Sequence, residues 1–405
     1  MKKIAYFLLL LLSILIFSSL QQTKAESFLT IPNCTSSECL TSKINDVVLA
    51  NNKSFVLVSY DSNFIRKIDI NSDFTTEDSI IPFNDSSNSS SPFNISISND
   101  DNQVLIYNND SIYLLNLTDN SVRKLTIESE VIKNISFLDK EGNQLIATNE
   151  NTASPKLLII NTQTTDIETT VPLPDVGDVI KISPSGDKVI ILFKNILTQT
   201  LSIYDANSSK LYRFDLPDFL FFSVDEFLDK VEFDQNSNKA VLSSLDGIHV
   251  LHLINLREEK IKFSIKILSN NIRGKTLSTL NKEGTLVISA GQNKNKNKII
   301  LYKSIISNHK KPQTVKKVHL KNITALNDIY LSNENNFVFI LAKKGINPMI
   351  LVLNLKDLSV QCEIDLNESF SNSQFAYAVD SNFLLLPIIK GTEIGLISPL
   401  NACQE

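Results

Sequence analysis

The residues able to do chemistry are few and scattered. His249 and His252 lie in Ile248-His249-Val250-Leu251-His252-Leu253, an apolar run with the cadence of a strand. Three positions apart on a strand, they fall on opposite faces and cannot jointly hold one metal ion. His309 and His319 flank a lysine-rich segment and read as solvated. Cys34, Cys39, Cys362 and Cys403 match neither the spacing of a zinc site nor the Cys-x-x-Cys-His of haem attachment. No Gly-x-Ser-x-Gly elbow presents a nucleophilic serine, and no glycine-rich loop offers a phosphate cradle. No catalytic residue, metal or cofactor is therefore assigned. The cysteines are assigned to disulfides, for which four residues allow three connectivities.

Two segments have the composition of binding surfaces instead. Pro217-Asp218-Phe219-Leu220-Phe221-Phe222-Ser223-Val224-Asp225-Glu226-Phe227 sits where a loop is expected. Loops are normally polar because their backbone stays in water. Phe219, Phe221, Phe222 and Phe227 thus mark either a partner-binding patch or a plug folded onto the domain. The second segment, Gln292-Asn293-Lys294-Asn295-Lys296-Asn297-Lys298, carries Lys294, Lys296 and Lys298. It is suited to steering an acidic polymer or an anionic envelope surface, and a solvated hairpin tip is the other reading.

The elements that would position these segments come from internal repetition. A short apolar strand, a polar turn and a second apolar strand recur eight times, with turns at Asn52, Asp101, Gly142, Gly186, Asn236, Gly284, Asn335 and Ser381. Their spacing is 41 to 51 residues. Asn, Asp and Gly recur there because tight hairpins need left-handed or side-chain-bonded backbone. A third apolar strand follows, often ending in Asn or Asp (Asp69, Asn116, Asn161, Asp205, Asn354), and then a more polar fourth, as in 210–216 and 360–366. Four strands per roughly 45 residues is the size of a propeller blade. A lone four-stranded sheet cannot bury both faces, so blades pack face to face around an axis, with continuous apolar inner strands and a polar outer one. The sequence predicts an all-β propeller of eight blades, or seven if one irregular unit is not a blade. The last unit, 375–397, lacks a strand that 27–32 can supply, closing the ring with strands from both ends.

The first residues predict export. Lys2 and Lys3 precede an apolar run from Ile4 to Phe17, and Thr23-Lys24-Ala25 suits cleavage after Ala25. The run is shorter than the roughly 20 residues a membrane span prefers, and an uncleaved anchor is the alternative. No later segment is long and apolar enough to span. The expected layout is a signal peptide at 1–25 and one propeller domain at 26–405, secreted or periplasmic. Loss of Lys2, Lys3 and Lys24 takes the formal charge from −5 to −8, which argues against nucleic acid as a partner.

The blade pattern resembles secreted bacterial propellers of the YVTN type, relatives of WD-repeat and lactonase-like propellers. The resemblance rests on Ile182-Ser183-Pro184-Ser185-Gly186-Asp187-Lys188-Val189-Ile190-Ile191 followed by Leu201-Ser202-Ile203-Tyr204-Asp205. That looks like the family's strand, Ser-Pro-Asp-Gly turn, and strand ending in aspartate. It is specific in the fourth unit only, and the Tyr-Val-Thr-Asn signature itself is absent. Propeller enzymes that dock quinones or carry a sialidase aspartate box rely on Trp, and this chain has none. The expected function is a monomeric, non-enzymatic scaffold binding a protein, peptide or envelope polymer. The alternative is a propeller enzyme of the lactonase or hydrolase class, with a site at the channel mouth.

Disulfide connectivity follows from strand direction. If 27–32 runs antiparallel to 393–397, Cys403 lies near Ser27, and Cys34 lies beyond the opposite end. Four or five residues at about 3.3 Å each separate those ends, more than the ~7 Å between Cα atoms that a disulfide tolerates. Cys34 and Cys39 enclose a short loop that is easily closed, leaving Cys362 for Cys403.

Overall fold

The structure, a computed structural model, describes residues 28–31, 44–50, 54–60, 64–70, 76–83, 93–127, 130–177, 179–193, 200–215, 231–243, 247–253, 263–266, 276–293, 297–307, 312–332, 336–366, 384–387 and 394–397. Among them every regular element is a strand. Seven four-stranded sheets follow in chain order. The first is Ile44–Leu49, Phe55–Tyr60, Phe64–Ile70 and Thr76–Pro82; the next six occupy 94–125, 132–172, 179–215, 231–266, 276–321 and 325–365. Each is an antiparallel meander whose strands pair in sequence order. A three-stranded sheet joins the two ends of the chain: Phe28–Ile31 pairs with Ile394–Ile397, which pairs with Leu384–Pro387. The chain is an all-β propeller. Among the described residues no helix is long and apolar enough to cross a membrane.

Local chemistry explains the meander. The turns between first and second strands place Asp101, Gly142, Gly186, Ser237, Gly284 and Asn336 at positive φ. Apart from Ser237, these are Gly, Asn and Asp, the residue types that bear left-handed backbone at least cost. The Asn and Asp residues that end third strands start the next turn: the carboxamide or carboxylate oxygen of Asn116, Asn161, Asp205 and Asn354 accepts the N–H two residues on, from Thr118, Gln163, Asn207 and Lys356. These side-chain turns fold the fourth strand back against the third.

Continuous apolar strands serve two interfaces at once. Leu105 packs toward the third sheet while its neighbour Ile106 packs toward the first. Ala147 faces the second sheet and Ile146 the fourth; Ile191 faces the third and Ile190 the fifth. Val287 joins the fifth sheet and Ile288 the seventh. Each of these side chains is fully buried, and each large aliphatic contributes about 1.5–3 kcal/mol. Outer strands grade to alternating exposure, as along Ile167–Pro172 and Val360–Asp365.

Candidate functional site

The inner strands line the axis, and their first residues stand at the end opposite the turns just described. Three of them carry a bulge at the same place. The ladder skips a residue between Ile44 and Asp46, between Ile132 and Asn134, and between Leu326 and Asp328. A bulge places two residues against one and re-aims the side chains there. The aligned segments are Ile44-Asn45-Asp46-Val47, Ile132-Lys133-Asn134-Ile135 and Leu326-Asn327-Asp328-Ile329, a repeat the reading of apolar runs had missed. The detectable signal was a polar pair inside an otherwise apolar strand.

Polar groups at the bulges and elsewhere along the inner strands link several neighbouring sheets. Asp46 accepts from Val47 N at 2.9 Å and, across the interface, from Ile95 N at 3.0 Å. Asn134 Nδ2 donates to Gly177 O at 3.0 Å, and Ser96 meets Ser136 at 3.4 Å. Glu232 Oε2 accepts from Leu280 N at 2.8 Å, and Gln292 Nε2 donates to Thr324 O at 2.6 Å. Second strands do the same: Ser59 donates to Phe93 O, and Thr148 to Gly177 O. The result is a partial belt of sheet-to-sheet side-chain bonds: those of Asp46, Asn134 and Gln292 lie at this mouth, and Ser96–Ser136 and Glu232–Leu280 lie nearer the turns.

The belt has an electrostatic centre at Asp46. Burial pushes its carboxyl above the ordinary range, opposed by the two N–H donors and by the positive charge of Lys181 from the fourth sheet. Tyr107, half-buried nearby, is pushed up to about 12 by desolvation and by the Asp46 charge. The mouth therefore offers a carboxylate, a neutral phenol and the half-buried Lys133 and Lys181. Asp46, Glu232 and Asp328 are each bonded to backbone N–H groups, Asp328 to Ile329 N at 2.7 Å. Among the described residues no three His, Cys, Asp or Glu side chains gather as metal ligands would.

A second polar network occupies the turns at the other end. Lys188 Nζ bridges Asp187 at 2.9 Å and Asp205 at 3.0 Å. Asp187 also accepts from the hydroxyls of Ser183 and Ser185, and Ser185 reaches Ser237 of the fifth sheet. Burial alone would raise the Asp187 pKa, but the Ser185 and Lys188 hydrogen bonds hold it below the ordinary carboxylate value. Lys239 Nζ donates to Gly284 O at 2.7 Å, and Asp100 N to Lys140 O at 3.2 Å, so these turns too are tied sheet to sheet. The Ser-Pro-Ser-Gly-Asp-Lys motif at 183–188 thus clamps neighbouring blades.

Of the segments singled out from the sequence, Phe219, Phe221, Phe222 and Phe227 lie outside the described residues, as do Lys294, Lys296, Cys34, Cys39 and Cys403. Lys298 belongs to a strand rather than to a hairpin loop: it opens Lys298–Ile305, opposite Asn293 on one side and Lys321 on the other. The neighbouring strand runs to Asn293 because its ladder continues to the Lys298 pair. Cys362 is half-buried opposite Val352, and its sulfur is disulfide-bonded, the partner lying outside the described residues. His319 is exposed on the outer strand Gln313–Lys321.

No protein-family model matches this chain, and no curated protein matches its sequence. Solved structures do match its fold. The C-terminal WD40 domain of Sif2 superposes with a TM-score of 0.62 at 11% identity, over 88% of this chain and 96% of that one. The β-propeller domain of Cps50 (Swd1) from Myceliophteria thermophila covers 75% of this chain and 95% of its own, at 13% identity and a TM-score of 0.48. At such identities the likeness to the Sif2 domain is one of fold.

Proposed function

We propose that this chain is an exported, non-catalytic propeller that holds a protein or an envelope polymer at the channel mouth bearing Asp46, Lys133 and Lys181. The observation that carries this reading is the engagement of the inner-strand carboxylates. Asp46 and Glu232 hold backbone N–H groups of the neighbouring sheet and Asp328 that of Ile329 beside it, so the first two serve the ring's rigidity and all three are engaged rather than waiting for a substrate. A rigid ring with a mixed-charge rim is a surface suited to docking. The protein-binding habit of WD40 propellers supports it by analogy of fold alone.

The proposal includes cleavage after Ala25, delivery outside the cytoplasm, and a monomer of eight blades closed by strands from both ends. Support for closure comes from the pairing of Phe28–Ile31 with Ile394–Ile397 and from the approach of Leu384–Pro387 to Ile44–Leu49. Cys362 bonded to Cys403 would tie the tail to the seventh sheet, with Cys34 bonded to Cys39.

Photo-crosslinking tests the reading. A benzophenone side chain replaces Lys133 or Asn327 at the mouth, and replaces Asp119 or Lys356 on turns at the opposite end. One discrete partner captured from the mouth positions alone supports it. Equal capture from both ends, no capture from either, or hydrolysis of lactone or ester substrates by the purified chain overturns it.

A further inference from the structure

The outer strand of the sixth sheet differs from every other described edge. Gln313–Lys321 is nine residues long, is bonded on one side only, and is exposed at Lys316, Lys317, His319 and Lys321. The other described outer strands are shorter, and four bear acids: Glu77 and Asp78 in Thr76–Pro82, Glu168 in Ile167–Pro172, Asp215 in Lys210–Asp215, and Glu363 and Asp365 in Val360–Asp365. Ser121–Leu125 and Phe263–Lys266 bear none, but Arg123 of the former is engaged by Thr162 O and Gln163 O of the next sheet. None of the ion pairs among the described residues involves Lys298, Lys317, His319 or Lys321.

Ladder parity says which way this edge points its backbone. Ile306 N donates to Thr285 O. With the register Leu286↔Ile305, residues 304, 302, 300 and 298 therefore exchange bonds with the second strand. Residues 299, 301 and 303 then bond toward the outer strand, to Leu320, Val318 and Lys316. The N–H and C=O groups of Lys317, His319 and Lys321 consequently point away from the sheet.

The same three residues share one side-chain face, because side chains alternate along a strand. Across from them stand Tyr302, Ile300 and Lys298, and Lys317 Nζ lies 5.2 Å from the centre of the Tyr302 ring. This edge therefore repeats a cationic or titratable side chain and an open backbone pair every ~6.7 Å. A polyphosphate or acidic glycan would satisfy the charges and leave the backbone to water. An extended peptide with an acid at alternate positions has the same repeat and also supplies ladder partners. Lysines on an edge repel a second copy of the same strand, which leaves an acidic strand as the complementary occupant.

We propose that Gln313–Lys321 docks an acidic, extended segment of a partner protein as a fifth strand of the sixth sheet. This deepens the binding reading above and rests on it, naming a second contact surface on the ring's outer wall and the chemistry that fits it.

The test uses the mature chain and a fluorescein-labelled peptide, Thr-Glu-Val-Glu-Val-Glu-Thr. Anisotropy should report saturable binding that weakens with salt. The pair K317Q/K321Q should weaken it about tenfold, the sum of two exposed charge contacts of about 0.7 kcal/mol each. A peptide of identical charge, N-methylated on its sheet-facing amides, should bind at least about tenfold more weakly, because strand addition needs those donors. Three results overturn the proposal: equal binding of methylated and unmethylated peptides, competition by inorganic polyphosphate as strong as by the peptide, or unchanged affinity in K317Q/K321Q. Concentration-dependent self-association lost in K317Q/K321Q also overturns it, in favour of a second copy. Failure here with a partner still captured at the channel mouth removes only the edge site. Peptide binding without any mouth partner removes only the mouth.

Discussion

Replacing Gly186 by Ala tests the clamping of one turn on its neighbour, and Gly345→Ala supplies the control. Both glycines have left-handed backbone, φ 77° and 69°. An L side chain in that region costs about 1–2 kcal/mol, and the stiffer unfolded chain of the Ala variant returns some of this. A Cβ on Gly345 would meet nothing within 4 Å, so Gly345→Ala should cost about 1 kcal/mol. A Cβ on Gly186 would stand 2.3 Å from the carbonyl oxygen of Leu138 in the preceding sheet. The obstacle is backbone and has no rotamer to swing away. The turn must retreat by about 1 Å to restore ordinary van der Waals separation. That retreat, away from the third sheet and toward the fifth, crowds and misaligns the bond from Ser185 N to Ser237 Oγ, now 3.1 Å, and the hydroxyl bond beside it. At roughly 1 kcal/mol for each bond, Gly186→Ala should cost about 3 kcal/mol in all. Urea unfolding of the two variants beside the parent measures the difference, read at constant slope. Equal losses would refute the described docking of this turn on Leu138.

Lys188→Met should cost about 2 kcal/mol at neutral pH by leaving Asp187 and Asp205 together without their cation. Asp187 is held below its ordinary 3.8, so its share is present above that pH and lost as pH falls through the folded value. Lys188 is lowered by burial but raised further by the Asp187 and Asp205 hydrogen bonds, so its share is lost as pH rises through a value above 10.5. The gap between parent and variant should therefore be widest from about pH 4 to 10 and close toward both extremes; a gap independent of pH refutes the ion-pair account. Asp46→Ala should destabilise by about 1–3 kcal/mol, because Ile95 N–H loses its acceptor between the first two sheets; an unchanged midpoint in thermal unfolding would deny the belt its role. Phe221→Ala should cost about 3 kcal/mol if the phenylalanine segment is a plug. An unchanged melting temperature with lost partner capture would identify a patch instead. Peptide mapping without reductant should yield Cys34–Cys39 and Cys362–Cys403 crosslinks; a Cys34–Cys403 peptide would reverse the assignment.

What could be read from the chain alone was whatever repeats locally. Hairpin cadence, turn residues such as Gly142, Gly186 and Gly284, and the Asn or Asp that ends four of the third strands act within a few residues of themselves. They declare four-stranded units without reference to the rest of the molecule. Double-sided burial was legible for the same reason: Leu105 and Ile106 are both apolar because successive side chains face different sheets. The bulges at Asn45, Lys133 and Asn327 escaped, since an inserted polar residue looks like noise until its partner strand shows the skipped pairing. Bonds such as Asp46 to Ile95 and Lys239 to Gly284 join residues more than forty positions apart, and no local pattern encodes them. The direction of the edge backbone at Lys317, His319 and Lys321 lay equally out of reach. Alternation assigns side chains to faces, but only the ladder to the third strand determines which amides remain for a partner.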